Sequence, residues 1–114
     1  RARALEDAPG FFDRVYFRFR SVPRGVEPLR DLAAELARSS PVAKRLTPAE
    51  ARDRLVVLAE LVPEWCAIAA SSSVATGEGK VFRVLKVLAG PAVGDVRALV
   101  ARRAAEALSA QAKA

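Results

Sequence analysis

Histidine and methionine are absent from this sequence, and cysteine occurs once, as Cys66. Without histidine the chain lacks the commonest general base and the commonest zinc ligand. A single cysteine excludes an internal disulfide and leaves a structural zinc site without its usual ligands. We therefore expect no catalytic residue, no metal and no cofactor. Because Cys66 stands in an apolar run after Trp65, we expect a buried thiol beside a core tryptophan.

The sequence also lacks a long apolar run, a phosphate-binding glycine pattern and an initial methionine. No run approaches the ~18 residues of a membrane span, so no membrane partner is expected. The glycines match neither a dinucleotide nor a phosphate loop, so no small-molecule substrate is expected. The length of 114 residues predicts a single domain, and the missing methionine predicts that residues 1–114 are a fragment or processed product of a longer protein. With 52% hydrophobic and 28% charged residues, a globular fold is favoured over disorder.

Hydrophobic spacing predicts two helices in the first part of the chain. The first is expected to begin at Asp7–Pro9, because aspartate suits a helix cap and proline suits a first turn, and to end near Arg20. The second is expected to open at Glu27–Pro28 and to close at Ser39–Pro41. The predicted apolar faces are Phe11, Phe12, Val15, Tyr16 and Phe19 in the first helix, and Leu29, Leu32, Ala33, Leu36 and Ala37 in the second.

Thr47–Glu50 carries the clearest local signal in the chain. Threonine can cap a helix, proline suits the first helical position, and glutamate three residues after the cap can return the hydrogen bond. A third helix is therefore predicted from this point, with Ala51, Leu55, Leu58, Ala59 and Val62 on its apolar face. Pro63 is expected to end it.

After Pro63 the apolar residues no longer follow the spacing of a helix and instead form short continuous runs. Two short apolar runs, Trp65–Ala70 and Lys80–Leu85, predict a β-hairpin with Ser71–Gly79 as its tip. A last helix is predicted after Gly90–Pro91, with Asp95 as its candidate cap. Three helices, a hairpin and a final helix predict an α+β fold of the winged-helix type, in which the third helix is the recognition helix and the hairpin is the wing.

The run from Leu55 to Trp65, preceded by Thr47–Glu50, resembles the C-terminal winged-helix domain of the eukaryotic DNA replication licensing factor that loads the MCM helicase. A leucine-rich helix, an acidic residue, Pro63, Glu64 and Trp65 follow one another in that family's order. A looser likeness covers nearly the whole chain, although the alanine and arginine content departs from the family. The resemblance implies a nuclear protein that binds MCM helicase subunits during origin licensing in the cell cycle, without catalysis.

The distribution of charge along the chain favours a protein partner over DNA. The net charge of +6 favours an acidic partner. Residues 47–64, however, hold two basic and four acidic residues, whereas a DNA-reading helix needs cations for the phosphates. Arg52 and Arg54 are the candidate contacts on this helix. We expect a protein partner, and the alternative is a DNA-binding winged helix with weak, sequence-tolerant phosphate contacts.

Phe17 is the most informative residue of the first helix. At 100° per residue it lies almost opposite the predicted apolar face, with Arg14 and Arg18 at neighbouring angles around the helix. Either Phe17 packs under a neighbouring segment, or it is an aromatic anchor for a partner, ringed by cations. The second alternative makes Arg14, Phe17 and Arg18 candidate partner-binding residues.

Overall fold

The computed structural model describes residues 2–20, 25–40, 45–70, 80–84 and 91–113. Within these ranges the helices and strands are α1 (Ala2–Phe19), β1 (Val26–Pro28), α2 (Leu29–Arg38), α3 (Pro48–Leu61), β2 (Cys66–Ala70), β3 (Lys80–Val84) and α4 (Pro91–Lys113). The predicted α+β class is confirmed, and the order of elements is compatible with a winged helix followed by one more helix. The predicted hairpin tip, Ser71–Gly79, lies outside the described residues.

The sheet has three antiparallel strands in the order β1-β3-β2. The β2–β3 hairpin was predicted, whereas β1 was not, because its three residues become a strand only by pairing with β3. Glu27 and Pro28 therefore belong to β1 rather than to the second helix. Gly25 makes this approach possible, since its φ is +63° and a Cβ atom there would lie 3.1 Å from the Val84 carbonyl oxygen. The Val84 amide donates to the Gly25 carbonyl at 2.7 Å.

The predicted start of the first helix is wrong. The helix α1 begins at Ala2 and continues through Pro9, although proline can donate no hydrogen bond within a helix. Ala4 and Leu5 are buried on the same face as Phe12, and burying a leucine contributes about 1.5 to 3 kcal/mol. This burial offsets the hydrogen bond that is missing at Pro9.

The predicted cap of the third helix is confirmed. The Glu50 amide donates to the Thr47 hydroxyl at 3.2 Å, and the Thr47 amide donates to the Glu50 carboxylate at 3.0 Å. Two backbone donors that a helix start leaves free are thus satisfied. For the last helix, Asp95 is not the cap, because α4 already begins at Pro91.

Aromatic contacts join α1 to the rest of the core. The rings of Phe12 and Trp65 lie 4.7 Å apart between centroids, and those of Phe19 and Phe82 lie 5.7 Å apart. Trp65 is 3% exposed, which confirms it as a core residue. The largest fully buried side chains are Phe12, Phe82, Leu5, Leu29, Leu32, Leu55, Leu58, Val15, Val62, Val100 and Cys66.

Candidate functional site

The outer face of α1 and the turn that follows it present one stripe of residues spaced alternately three and four positions apart: Arg3, Glu6, Gly10, Asp13, Phe17 and, just after the helix, Arg20. Phe17 is 63% exposed, the only large hydrophobic side chain exposed among the described residues. It therefore does not pack under a neighbouring segment, and the first of the two alternatives for this residue is wrong. Its role in binding a partner stays a prediction.

Arg14 lies one turn before Phe17, and its guanidinium is directed to the end of α2. Its Nη2 donates to the Leu36 carbonyl and, at 3.1 Å, to the Ser39 hydroxyl. Carbonyls in the last turn of a helix have no amide partner within that helix. Partial burial lowers the pKa of Arg14. The side chain thus fixes the end of α2 against α1.

Arg18 forms an ion pair with Glu27 of β1. Its Nη2 lies 2.7 Å from Oε1 and its Nε lies 3.2 Å from Oε2. This hydrogen-bonded pair raises the pKa of Arg18. Arg14 and Arg18 both make contacts within the chain, so they hold α1 in place on either side of Phe17.

Arg20 is the exposed cation that accompanies Phe17, and it was not among the predicted residues. Its Cζ lies 5.7 Å from the centroid of the Phe17 ring and 5.9 Å from that of the Tyr16 ring, within the range of a cation–π contact. In the described part of the chain no carboxylate lies within ion-pair distance of Arg20. Its position three residues after Phe17 was the signal that could have identified it.

Arg54 occupies the interior, which corrects the expectation that it is available to phosphate. Its side chain is 6% exposed, and its Nη2 lies 3.0 Å from Oδ2 of Asp7 in α1. Its Nε is also buried and has no hydrogen-bond partner among the described residues. Asp7, which was predicted to cap α1, therefore neutralises a buried guanidinium instead. The pair fastens the N-terminal half of α1 to α3.

The accessible charge of α3 is mainly acidic. Asp53 and Glu60 are exposed, whereas Arg52 is half-buried. Arg52 and Glu60 both make further contacts within the chain. The helix packs against α1, α2, β2 and α4. The third helix, α3, therefore exposes few cations.

The C-terminal end of α3 is closed by Arg103 of α4. Its Nη1 donates to the Leu61 carbonyl at 2.7 Å, and its two amino groups bind the two carboxylate oxygens of Glu64 at 2.7 and 2.8 Å. These bonds lower the pKa of Glu64 to about 2. Arg103 thus joins α4 to the chain segment between α3 and β2.

A cleft between α1 and α3 contains several charged side chains. It is lined by Arg3, Glu6, Asp7, Arg45, Leu46, Glu50 and Arg54. The carboxylates balance the guanidiniums in number, and Glu50 is already bonded to Thr47. Because the charges cancel, this cleft has no marked preference for an anion or a cation.

Cys66 is buried, as predicted, and burial raises the pKa of its thiol to about 12. A thiol in this state is a poor nucleophile because the reactive form is the thiolate. Over the described ranges, no three histidine, cysteine, aspartate or glutamate side chains are grouped to hold a metal ion. None of the helices seen there is long and apolar enough to cross a membrane.

No protein-family model and no curated protein matches this chain. The resemblance to the licensing-factor domain thus depends on the Leu55–Trp65 run and the Thr47–Glu50 cap. In the structure that run forms the C-terminal part of α3 and the turn into β2. The Trp65 and Cys66 amides both donate to the Val62 carbonyl, at 3.0 and 3.2 Å.

Proposed function

We propose that this chain is a non-catalytic, protein-binding winged-helix domain of a DNA replication licensing factor. Its partner is the MCM helicase, and its place of action is the nucleus. The observation that carries the protein-binding part is the chemistry of α3, where Asp53 and Glu60 are exposed and Arg54 is buried against Asp7. The helicase part derives from the resemblance of Leu55–Trp65 to the licensing-factor family.

The charges on α3 disfavour DNA as the main partner. Affinity for duplex DNA comes largely from Lys and Arg side chains that replace counterions on the phosphates. Arg54 is occupied by Asp7, and Arg52 is half-buried. An acidic helix surface near the phosphates would instead repel them. A protein partner has no such requirement for cations on α3.

DNA binding remains the second candidate because of β3. Lys80 and Arg83 of this strand are exposed, and the wing of a winged helix often lies beside the nucleic-acid backbone. Two cations support only weak, sequence-tolerant contact, so we expect a Kd no tighter than about 10⁻⁶ M near physiological salt.

A parallel binding experiment tests the proposal. The immobilised domain is exposed to each purified helicase subunit, and duplex DNA is titrated by fluorescence anisotropy. We expect at least one subunit to bind, and we expect the double variant Lys80→Glu, Arg83→Glu to weaken only the DNA contact. Tight, sequence-dependent DNA binding without subunit binding would replace the proposal with the second candidate.

A further inference from the structure

From Phe17 and Arg20 we infer that the C-terminal part of α1 is a docking surface for an acidic protein segment, with Phe17 as the apolar anchor and Arg20 as the cation that pairs with a carboxylate. This surface, the α1 anchor, consists of Tyr16, Phe17 and Arg20. The inference rests on the protein-binding function proposed above and specifies its surface and the chemistry of the partner.

Phe17 is an exposed aromatic residue on a rigid helix. Phe17 is 63% exposed although it stands on a long helix whose opposite face is buried. On either side of it, Arg14 is bonded to the end of α2 and Arg18 to Glu27. These contacts fix the backbone that presents Phe17, which lowers the entropy cost of binding. An exposed aromatic residue on a rigid support is typical of a binding anchor.

The positive charge of Arg20 lies beside the exposed Phe17 ring. The Arg20 guanidinium is held over the rings of Phe17 and Tyr16, and no carboxylate of the described chain pairs with it. The acid nearest on the stripe, Asp13, is already bonded to Arg97 at 3.0 Å. The α1 anchor therefore has an unbalanced positive charge beside an apolar ring. A partner with an apolar pocket bordered by carboxylates complements both features.

Single-stranded nucleic acid also combines negative charge with groups that stack on aromatic rings, but the α1 anchor suits it less well than a protein. Such strands are bound along grooves lined by several cations and several stacking platforms. Here Arg14 and Arg18 are engaged within the chain, and Asp13 lies on the same stripe as Phe17. One exposed ring and one exposed cation suit a single pocket on a protein better than an extended strand.

The test is an NMR titration of the whole chain with three probes. These are a synthetic peptide with leucines flanked by Asp and Glu, the same peptide with Lys at every acidic position, and oligothymidine. We expect the acidic peptide to shift the Phe17 and Arg20 signals, with the effect falling as salt rises. The lysine peptide is expected to leave them in place. Equal shifts with both peptides, no shift, or larger shifts with oligothymidine would overturn the inference.

Variants then measure the contribution of each residue to binding of the acidic peptide. We expect Phe17→Ser to weaken it roughly 30-fold, as for an anchor residue, and Arg20→Gln roughly 5-fold. The matched control is Arg102→Gln, because the Arg102 side chain is 67% exposed on α4, and we expect a change below about twofold. If Phe17→Ser fails to fold, Arg20→Gln and the titration of the unaltered chain still show whether the acidic peptide binds at the α1 anchor.

The same variants in the helicase experiment separate the two proposals. If a helicase subunit binds the unaltered domain and binds both Phe17→Ser and Arg20→Gln equally well, the licensing function stands and the α1 anchor is wrong. If no subunit binds but the acidic peptide occupies Phe17 and Arg20, the helicase proposal is wrong and the docking surface stands.

Discussion

Replacing Asp7 by alanine isolates the contribution of its ion pair with Arg54 to stability. The N···O distance of 3.0 Å in this pair corresponds to charge centres about 4 Å apart, where an effective dielectric constant of 20 gives an attraction of roughly 4 kcal/mol. The Asp7 side chain is 25% exposed. Water can therefore hydrate its carboxylate when the pair is broken, which offsets part of this attraction. Asp7→Ala leaves the buried Arg54 guanidinium without this carboxylate, and we expect a loss of about 3 kcal/mol in the free energy of unfolding.

The reverse substitution is expected to cost less. Arg54→Met retains most of the apolar stem and removes the buried charge, while Asp7 is left partly hydrated. We expect a loss of about 1 to 2 kcal/mol for Arg54→Met. The double variant has no charge in this interior position, so its loss is expected to be smaller than the sum of the two single losses by about 1 to 3 kcal/mol.

Urea unfolding followed by the fluorescence of Trp65 measures all four proteins. Its indole is buried against Phe12, so unfolding changes its environment. Two results would refute the reasoning: a loss below about 0.5 kcal/mol for Asp7→Ala, or losses that add to within about 0.5 kcal/mol in the double variant. Either result would mean that Asp7 and Arg54 do not depend on each other in the folded protein.

Three further predictions concern the core and the chain segment after α3. Leu58 is 1% exposed, so Leu58→Ala is expected to cost ~2 to 5 kcal/mol in a urea melt, and a cost below about 1 kcal/mol would contradict its place in the core. The pKa of Glu64 is lowered to about 2; its stabilising contribution is present above the ordinary pKa of 4.5 and is lost as pH falls toward 2. Glu64→Gln is therefore expected to flatten the acid loss of stability between these values, and unchanged acid sensitivity in melts across that range would show that Glu64 contributes nothing. Cys66 is buried with a raised pKa, so a thiol reagent is expected to label it only as fast as the chain unfolds; rapid labelling without denaturant would contradict this.

The features that could be predicted from sequence are those fixed by neighbouring residues. The Thr47–Glu50 cap is made by two hydrogen bonds within four residues, so its pattern is complete in the sequence. The β2–β3 hairpin follows from two short apolar runs that pair antiparallel. Leu58 and Phe12 follow from helical periodicity, since each lies on a face that repeats every three or four residues.

The features that could not be predicted depend on distant partners. Arg54 looks like an accessible cation on α3, and only its contact with Asp7, 47 residues away, makes it internal. The strand β1 has three residues and one of them, Pro28, has no amide proton, so no local signal marks it. Pro9 was interpreted as a helix start because proline is preferred there, yet burial of Leu5 extends α1 past it.

The contacts of α3 explain why we propose the docking surface on α1 and not on α3. In a DNA-reading winged helix the third helix presents its side chains to the groove. Here that helix is held near its middle by the Asp7–Arg54 pair and at its C-terminal end by Arg103 of α4, which binds the Leu61 carbonyl and Glu64. The first of these contacts uses a cation of α3 that could otherwise bind a phosphate. Arg20, in contrast, has no carboxylate partner in the described chain and lies beside an exposed ring. A partner that supplies a carboxylate and an apolar pocket therefore gains more from α1 than from α3.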